Sequence, residues 1–433
     1  MALTIEARDG ATDARAGRLC TAHGDIRTPA FVPLATKATV KGLLPAEVKA
    51  LGYEMVLGNT FHLMLSPGAE LIGRLGGLHR FMGWDGPIIT DSGGFQVFSM
   101  GHGTIADEIK SRSSRAASDR QSRSRTGGQA IDRRSIPDSG HAAGSPIGRR
   151  EGAILSIEEQ GVRFRSYVDG AERFLAPEDS MAVQASLHSD IALVFDECTP
   201  FHVDRDYTER STERTHRWLE RCLAWHGEHG PEDQLVYGIV QGGVYEDMRR
   251  ASARTVVASG CDGVAIGGSL GAEKAQMYEV VGYAVAELGG EHEPLPRHFL
   301  GIGDVDDLIR GVELGIDTFD CAMPTRLGRH GTALVHDPEH RWRVDLTKSV
   351  WRESEEPLME DCACYACTHG LSRAYLSYLA RAGELTGMRL LTEHNLAFLA
   401  RLMGDLRQAI LDGRLTEVAN SLRRVEYRRK YRL

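Results

Sequence analysis

Apolar residues along this chain gather into short, strand-sized runs, separated by stretches in which they recur at helical spacing. Eight such runs stand out: TPAFVPLA (28–35), EMVLGNT (54–60), PIITDSGG (87–94), IALVFDE (191–197), LVYGIVQGG (235–243), GVAIGG (263–268), RHFLGIG (297–303) and DTFDCAMP (317–324). Between them lie helical patterns such as TERSTERTHRWLERCLAWHGEHG and VDDLIRGVELG. Runs that are apolar on both faces and alternate with helices predict a parallel sheet covered on both sides. Eight such units predict a closed (β/α)8 (TIM) barrel of α/β class. An open doubly wound sheet is the alternative, but no GxGxxG turn follows the first run. Beyond residue 350 the pattern is purely helical, and Leu399, Leu402, Leu406 and Ile410 fall on one face. The expected organisation is a barrel over 1–350 and a helical subdomain over 351–433.

The polar residues that end these runs change the picture from fold to site. Asn59, Asp91, Asp196, Gln241, Gly268 and Asp320 each sit at or near the carboxyl end of a run. One Asp at a strand end is an ordinary turn residue or helix cap. In a barrel, however, all the carboxyl ends share one rim, where catalytic groups collect.

Residues 111–150 break the rhythm: they hold nine Arg, nine Ser and three acidic residues, and no Phe, Trp, Tyr, Leu, Val, Met or Cys. Such a segment buries too little apolar surface to offset its ordering entropy, so a disordered insertion is expected over about 104–150. The whole chain of 433 residues carries a net charge of −9, which argues against indiscriminate nucleic-acid binding. The charge is uneven, with six Lys or Arg among the last eleven residues, a local patch that can engage phosphate or simply be a solvated tail. The apolar runs are too short to span a membrane, and MALTIEARDG lacks a secretory pattern. Eight cysteines, three of them clustered, do not resemble an extracellular disulfide framework, so a reducing cytoplasm is expected.

The clustered thiols are Cys362, Cys364 and Cys367 in DCACYACTHG. CxCxxC supplies three ligands for a tetrahedral ion, and one histidine completes a Cys3His zinc site. His369 is only two residues from Cys367, a cramped arrangement. His394, at the start of a long helical pattern, is the better placed of the two. Four protein ligands leave no position for water, which makes the expected zinc structural.

Several blocks resemble tRNA-guanine transglycosylases of the bacterial type, that is, queuine tRNA-ribosyltransferases: TVKGLLP, LGNTFHLMLSPGAE, LGGLHRFMGWDGPIITDSGGFQVFSM, VFDECTPF, YGIVQGGVYEDMR, FDCAMPTRLGRHG and CACYAC…SRAYL…EHNLAFLARLM. They keep the family's order and cover nearly the whole chain outside the insertion. The resemblance implies a zinc-containing (β/α)8 barrel, commonly a homodimer. It also implies exchange of guanine at wobble position 34 of tRNAs with GUN anticodons (Asp, Asn, His, Tyr) for a queuine precursor, free preQ1. Matched motif by motif, Asp320 falls on the nucleophile and Asp91 on the general acid/base. Phe95, Asp196, Gln241, Gly268 and Ser269 fall on base-binding positions, and Arg326 and Arg329 on groups that contact the RNA backbone. Cys362, Cys364, Cys367 and His394 fall on the zinc ligands, with one Zn2+ per subunit. Cys198 in DECTP follows the bacterial pattern and hence points to preQ1 rather than queuine.

The chemistry is consistent with these roles. Replacing a base with retention at C1′ suits double displacement through a covalent ribosyl-enzyme, which needs one carboxylate nucleophile and one proton-transfer group. An ionised Asp196 can accept from guanine N1–H and its 2-amino group, and Phe95 offers a stacking face to an extruded base. A non-catalytic RNA-binding paralogue of the same fold is the competing class, against which the presence of both Asp91 and Asp320 argues. Three departures from the family pattern stand out: one extra residue between Cys367 and SRAY, IGGSLGAEK in place of VGGLAVGE, and the Arg/Ser-rich insertion between the Asp91 and Asp196 strands.

Overall fold

The structure, a computed structural model, describes residues 2–102, 154–200, 203–268, 270–271 and 273–424. The Arg/Ser-rich stretch, Ser269 and the final nine residues of the basic tail lie outside them. The chain begins with an antiparallel sheet of β1 (Leu3–Arg8), β2 (Arg15–Thr21) and β3 (Gly24–Thr28). It then enters a barrel at β4 (Ala30–Ala35), β5 (Val56–Gly58) and β6 (Ile88–Thr90). A second antiparallel sheet, β7 (Ile154–Ile157), β8 (Val162–Arg165) and β9 (Glu172–Leu175), is inserted at that point. The barrel resumes with β10 (Ile191–Leu193), β11 (Leu235–Val240), β12 (Gly263–Ile266), β13 (Arg297–Phe299) and β14 (Thr318–Cys321).

All eight runs anticipated from the hydrophobic pattern are barrel strands, and every neighbouring pair is parallel. Closure is made by β14 against β4, with Asp320 opposite Val32, and β6 meets β10 with Ile191 opposite Ile89. Residues such as Val56, Leu57, Ile88, Ile89, Ile191 and Leu193 are wholly buried, as expected for strands covered on both faces. The helix Arg205–His229 is started by Asp204, whose carboxylate accepts from the Tyr207 N–H at 2.7 Å, and its Trp218 stacks on Phe195 at 5.0 Å.

The β1–β3 sheet closes the amino-terminal end of the barrel. Arg15 reaches the buried Asp317, just before β14, with its Nε donating to Oδ1 at 2.9 Å, and donates to the Leu295 carbonyl at 2.7 Å. Nearby, Asp190 at the foot of β10 takes bonds from His23 at 2.8 Å and His79 at 3.1 Å. With the foot of the barrel occupied, the open rim is the carboxyl one.

The carboxyl-terminal helix Leu385–Leu411 packs on the barrel, and Leu399, Leu402, Leu406 and Ile410 are all buried, as their spacing predicts. Its first half faces a second small core containing Leu358, Cys364, Leu376 and Leu391, while its second half joins the main core. β15 (Thr332–Leu334) and β16 (Arg343–Asp345) form a hairpin beside it. Asn395, fully buried, ties these parts together: its Oδ1 accepts from the Leu334 N–H at 2.7 Å, and its Nδ2 donates to the Pro324 and Thr332 carbonyls at 3.0 Å each. Asn395→Ala would orphan three buried backbone groups and is expected to lower stability by about 3 kcal/mol, read as a lower urea midpoint.

Candidate active site

The carboxyl rim gathers side chains that lie more than 200 residues apart in sequence. Asp91 follows β6, and three donors hold its carboxylate. The Thr60 N–H reaches Oδ1 at 2.9 Å, Gln96 Nε2 reaches Oδ2 at 3.1 Å, and Asn59 Nδ2 also donates to Oδ2. Asn59 at the end of β5 serves twice, because its Oδ1 accepts from the His62 N–H at 3.0 Å and so starts the helix Thr60–Leu65. Burial pushes the Asp91 carboxyl up to about 7; its hydrogen bonds oppose the rise and repulsion from Asp320 adds to it.

Asp320 ends β14 and is buried. Its Oδ1 accepts from the Gly301 N–H and faces His298 Nε2, both at 3.1 Å, while among the described residues Oδ2 takes no hydrogen bond. Asp196, also buried, accepts from Gln241 Nε2 at 2.6 Å on one oxygen and from Ser92 Oγ at 3.1 Å on the other. Burial raises its carboxyl to about 6 despite these bonds. The adjacent Glu197 is engaged elsewhere, with Tyr207 Oη at 2.6 Å and Arg214. Thus only the first acid of FDE belongs to the rim.

Gly268 is required by contact and by backbone. Its φ is +78°, and a Cβ there would stand 2.0 Å from Gln241 Oε1. Phe95, in the first turn of the helix Gly94–His102, remains 38% exposed, an uncovered aromatic face next to the Asp91 turn. Ser269 is outside the described residues.

Arg326 and Arg329 lie on the helix Met323–Arg329, directly after Asp320. They belong to a larger cationic group that sequence reasoning did not single out. The ammonium of Lys41 is made more acidic by burial and by repulsion from Arg329, Lys37 and Arg326. Lys37 also lies over the Tyr167 ring at 5.9 Å, and Tyr167 Oη meets His62 Nδ1 at 2.7 Å. Two more residues were missed. Arg249, wholly buried, donates to the carbonyls of Val240 at 2.9 Å and of Gly243 and Gly267 at 2.8 Å, joining the Gln241 and Gly268 loops. His298 is a polar residue near the start of RHFLGIG and central in β13, away from the carboxyl end where the other rim residues stand.

Away from the rim, His394 Nδ1 stands 3.6, 3.4 and 3.5 Å from the sulfurs of Cys362, Cys364 and Cys367. A tetrahedral zinc with ordinary Zn–S and Zn–N bonds requires edges of roughly 3.5–3.6 Å, so the four ligand atoms fit that ion. His394 Nε2 donates to the Leu334 carbonyl at 2.8 Å, which orients the ring and leaves Nδ1 as the ligand. These four residues form the structural zinc site. His369 is excluded from it, being stacked on Tyr365 at 3.9 Å. After Cys367 the chain turns through His369 and Gly370 (φ +62°) before Ser372 caps the helix Arg373–Ala382. The cluster of His23, His79 and Asp190 is different: its nitrogen–oxygen spacings of 2.8 and 3.1 Å are those of hydrogen bonds.

Fold and site together define a (β/α)8-barrel enzyme with a structural zinc joint. The sequence model of the queuine tRNA-ribosyltransferase family matches residues 9–123 and 130–428. A queuine tRNA-ribosyltransferase of Roseiflexus sp. is 48% identical, over 96% of this chain and 98% of its own length. Those of Pelotomaculum thermopropionicum and Moorella thermoacetica are each 42% identical, over 100% and 96% of this chain and 99% and 95% of their own. The chain belongs to the queuine tRNA-ribosyltransferase family and is a glycosyltransferase of that family. Among the described residues no helix is long and apolar enough to cross a membrane.

Two outcomes follow from this geometry. His394→Ala opens the ligand set and is expected to lose most bound zinc and lower the melting temperature, checked by elemental analysis and calorimetry. Asp196→Asn removes an ionisation that burial opposes. The Asp196 value is raised in the folded state, so its cost is fully present above about 6 and disappears below the unfolded value near 3.8. The variant is therefore expected to be about 2–3 kcal/mol more stable at pH 8, with no difference near pH 3.5, read from urea unfolding at the two pH values.

Proposed function

We propose that this enzyme exchanges guanine at the wobble position of GUN-anticodon tRNAs (Asp, Asn, His, Tyr) for free preQ1. The carrying observation is that two carboxylates of different character, Asp91 and Asp320, share one rim with the Asp196–Gln241 pair. Asp320, held by two donors on one oxygen, acts as the nucleophile. Asp91, raised to about 7, exists in both protonation states near neutrality. That suits a group which first protonates the departing guanine and then takes the proton of the incoming base. Asp196 and Gln241 recognise the base edge, the backbone around Gly268 and Ser269 approaches it closely, and Phe95 stacks on it. Arg326 and Arg329, with Lys37 and Lys41, hold the RNA backbone. The choice of preQ1 over queuine follows Cys198, which is buried beside Asp196. A cytoplasmic homodimer acting on tRNA completes the reading, with the zinc-bearing segment after about residue 350 as its subdomain.

The test uses tRNA carrying labelled guanine at the wobble position. Label release is expected with preQ1 and is expected to fall by roughly 100-fold or more in Asp91→Asn at pH 7. Release without replacement would indicate hydrolysis and overturn the exchange reading, and a trapped covalent RNA adduct surviving in Asp320→Ala would overturn the nucleophile.

A further inference from the structure

We propose that His298 is a positioning residue for Asp320, selecting which carboxylate oxygen is free to attack. The proposal rests on the reading of Asp320 as nucleophile. His298 sits on β13, fully buried, with its neighbour strand β14 supplying contacts to both ring nitrogens. Nε2 lies 3.1 Å from Asp320 Oδ1, and Nδ1 lies 2.9 Å from Thr318 Oγ1.

The protonation pattern follows from donor and acceptor capacity. An ionised carboxylate only accepts, so Nε2 must carry a proton. In the Nε2–H tautomer Nδ1 is an acceptor, and the Thr318 hydroxyl, which can donate, meets it. Thr318 thereby fixes the tautomer that donates to Asp320. The same oxygen also accepts the Gly301 N–H at 3.1 Å, so both described donors converge on Oδ1. Oδ2 keeps its lone pairs for reaction.

During the first displacement, a bond forms from Oδ2 to ribose C1′ as the C1′–N9 bond to guanine breaks. The electron pair leaves with the base, which takes a proton from Asp91. In the second displacement the incoming base loses its N9 proton to Asp91 and attacks C1′, and the pair returns to Oδ2. His298 and Gly301 hold Oδ1 throughout. They steady the carboxylate both as it attacks and as it departs, in the manner of fixed donors aimed at a reacting anion.

The experiment compares wild type with His298→Phe, His298→Gln, Thr318→Val and Asp320→Ala. It follows single-turnover formation of the tRNA adduct, steady-state kcat and KM, the pH profile from 5.5 to 8.5, zinc content and melting. His298→Phe is expected to lose kcat by roughly 10- to 100-fold, with KM for tRNA changed by less than about two-fold. The acid side of its pH profile is also expected to differ from wild type, because the reacting carboxylate keeps one donor fewer. His298→Gln, which keeps a donor of similar reach, is expected to restore most of kcat and the wild-type acid limb. Should His298→Phe not accumulate as a folded, zinc-loaded protein, Thr318→Val decides: a kcat loss of a few-fold with normal KM and melting supports the role.

Wild-type kcat and pH profile in His298→Phe, or in Thr318→Val where it decides, would refute the positioning role while leaving the nucleophile intact. Equal loss in the Phe and Gln variants together with lower melting would also refute it, as a packing effect. An adduct that persists in Asp320→Ala would instead refute the underlying reading of Asp320.

Discussion

Everything at the working end depends on closing the sheet. Once β14 pairs with β4, eight parallel ladders force every carboxyl end to one rim, and no strand edge remains for a residue to leave by. Asn59, Asp91, Asp196, Gln241, Gly268 and Asp320 meet because the hydrogen-bond register leaves them nowhere else to go. The β1–β3 sheet makes the choice of end unambiguous, since Arg15 and Asp317 seal the opposite mouth with a buried ion pair.

Closure also creates the electrostatic problem that the site uses. Asp91, Asp196 and Asp320 are drawn out of water into one region, and burial raises the first two. Among the described residues no Lys or Arg forms an ion pair with any of the three. The protein gives them oriented dipoles instead: backbone N–H groups at Thr60 and Gly301, and side-chain amides at Asn59, Gln96 and Gln241. A cation beside Asp91 would hold it ionised; amides leave it able to take and give a proton near neutrality. Cations are kept further out, at Lys37, Lys41, Arg326 and Arg329, where a polyanion can reach them.

How much of this was legible in the sequence follows from the kind of signal involved. The eight strands were readable because parallel strands buried on both faces are continuous apolar runs, and Asn59, Asp91, Asp196, Gln241 and Asp320 because each stands at or near the carboxyl end of such a run. The zinc ligands were readable because CxCxxC is local; the choice of His394 over His369 needed only chain geometry. What escaped was non-local or disguised. His298 lies inside a run, where a polar residue reads as an imperfection rather than a partner. Arg249 sits on a helix amid charged neighbours in YEDMRR, and nothing in that pattern reveals that it alone of the charged residues there is buried. Lys37 and Lys41 follow the first barrel strand, and their proximity to Arg326 and Arg329 exists only because β4 and β14 close the barrel.

The zinc joint gains meaning from the same closure. The helix Met323–Arg329 begins three residues after Asp320 and lies against Leu385–Leu411 so tightly that a Cβ on Gly328 would stand 2.6 Å from the Thr392 nitrogen. Two residues further along the long helix, His394 is fixed by the three thiols, and Asn395 binds the Pro324 carbonyl. The zinc site therefore anchors the long helix against which the helix that follows Asp320 packs, the one that carries Arg326 and Arg329. A short helix of seven residues has little stability alone, and tertiary packing must hold it. A closed Cys3His site supplies a fixed point for that packing that apolar contacts of a small satellite core would not, so a structural metal bears on how accurately this side of the rim is built.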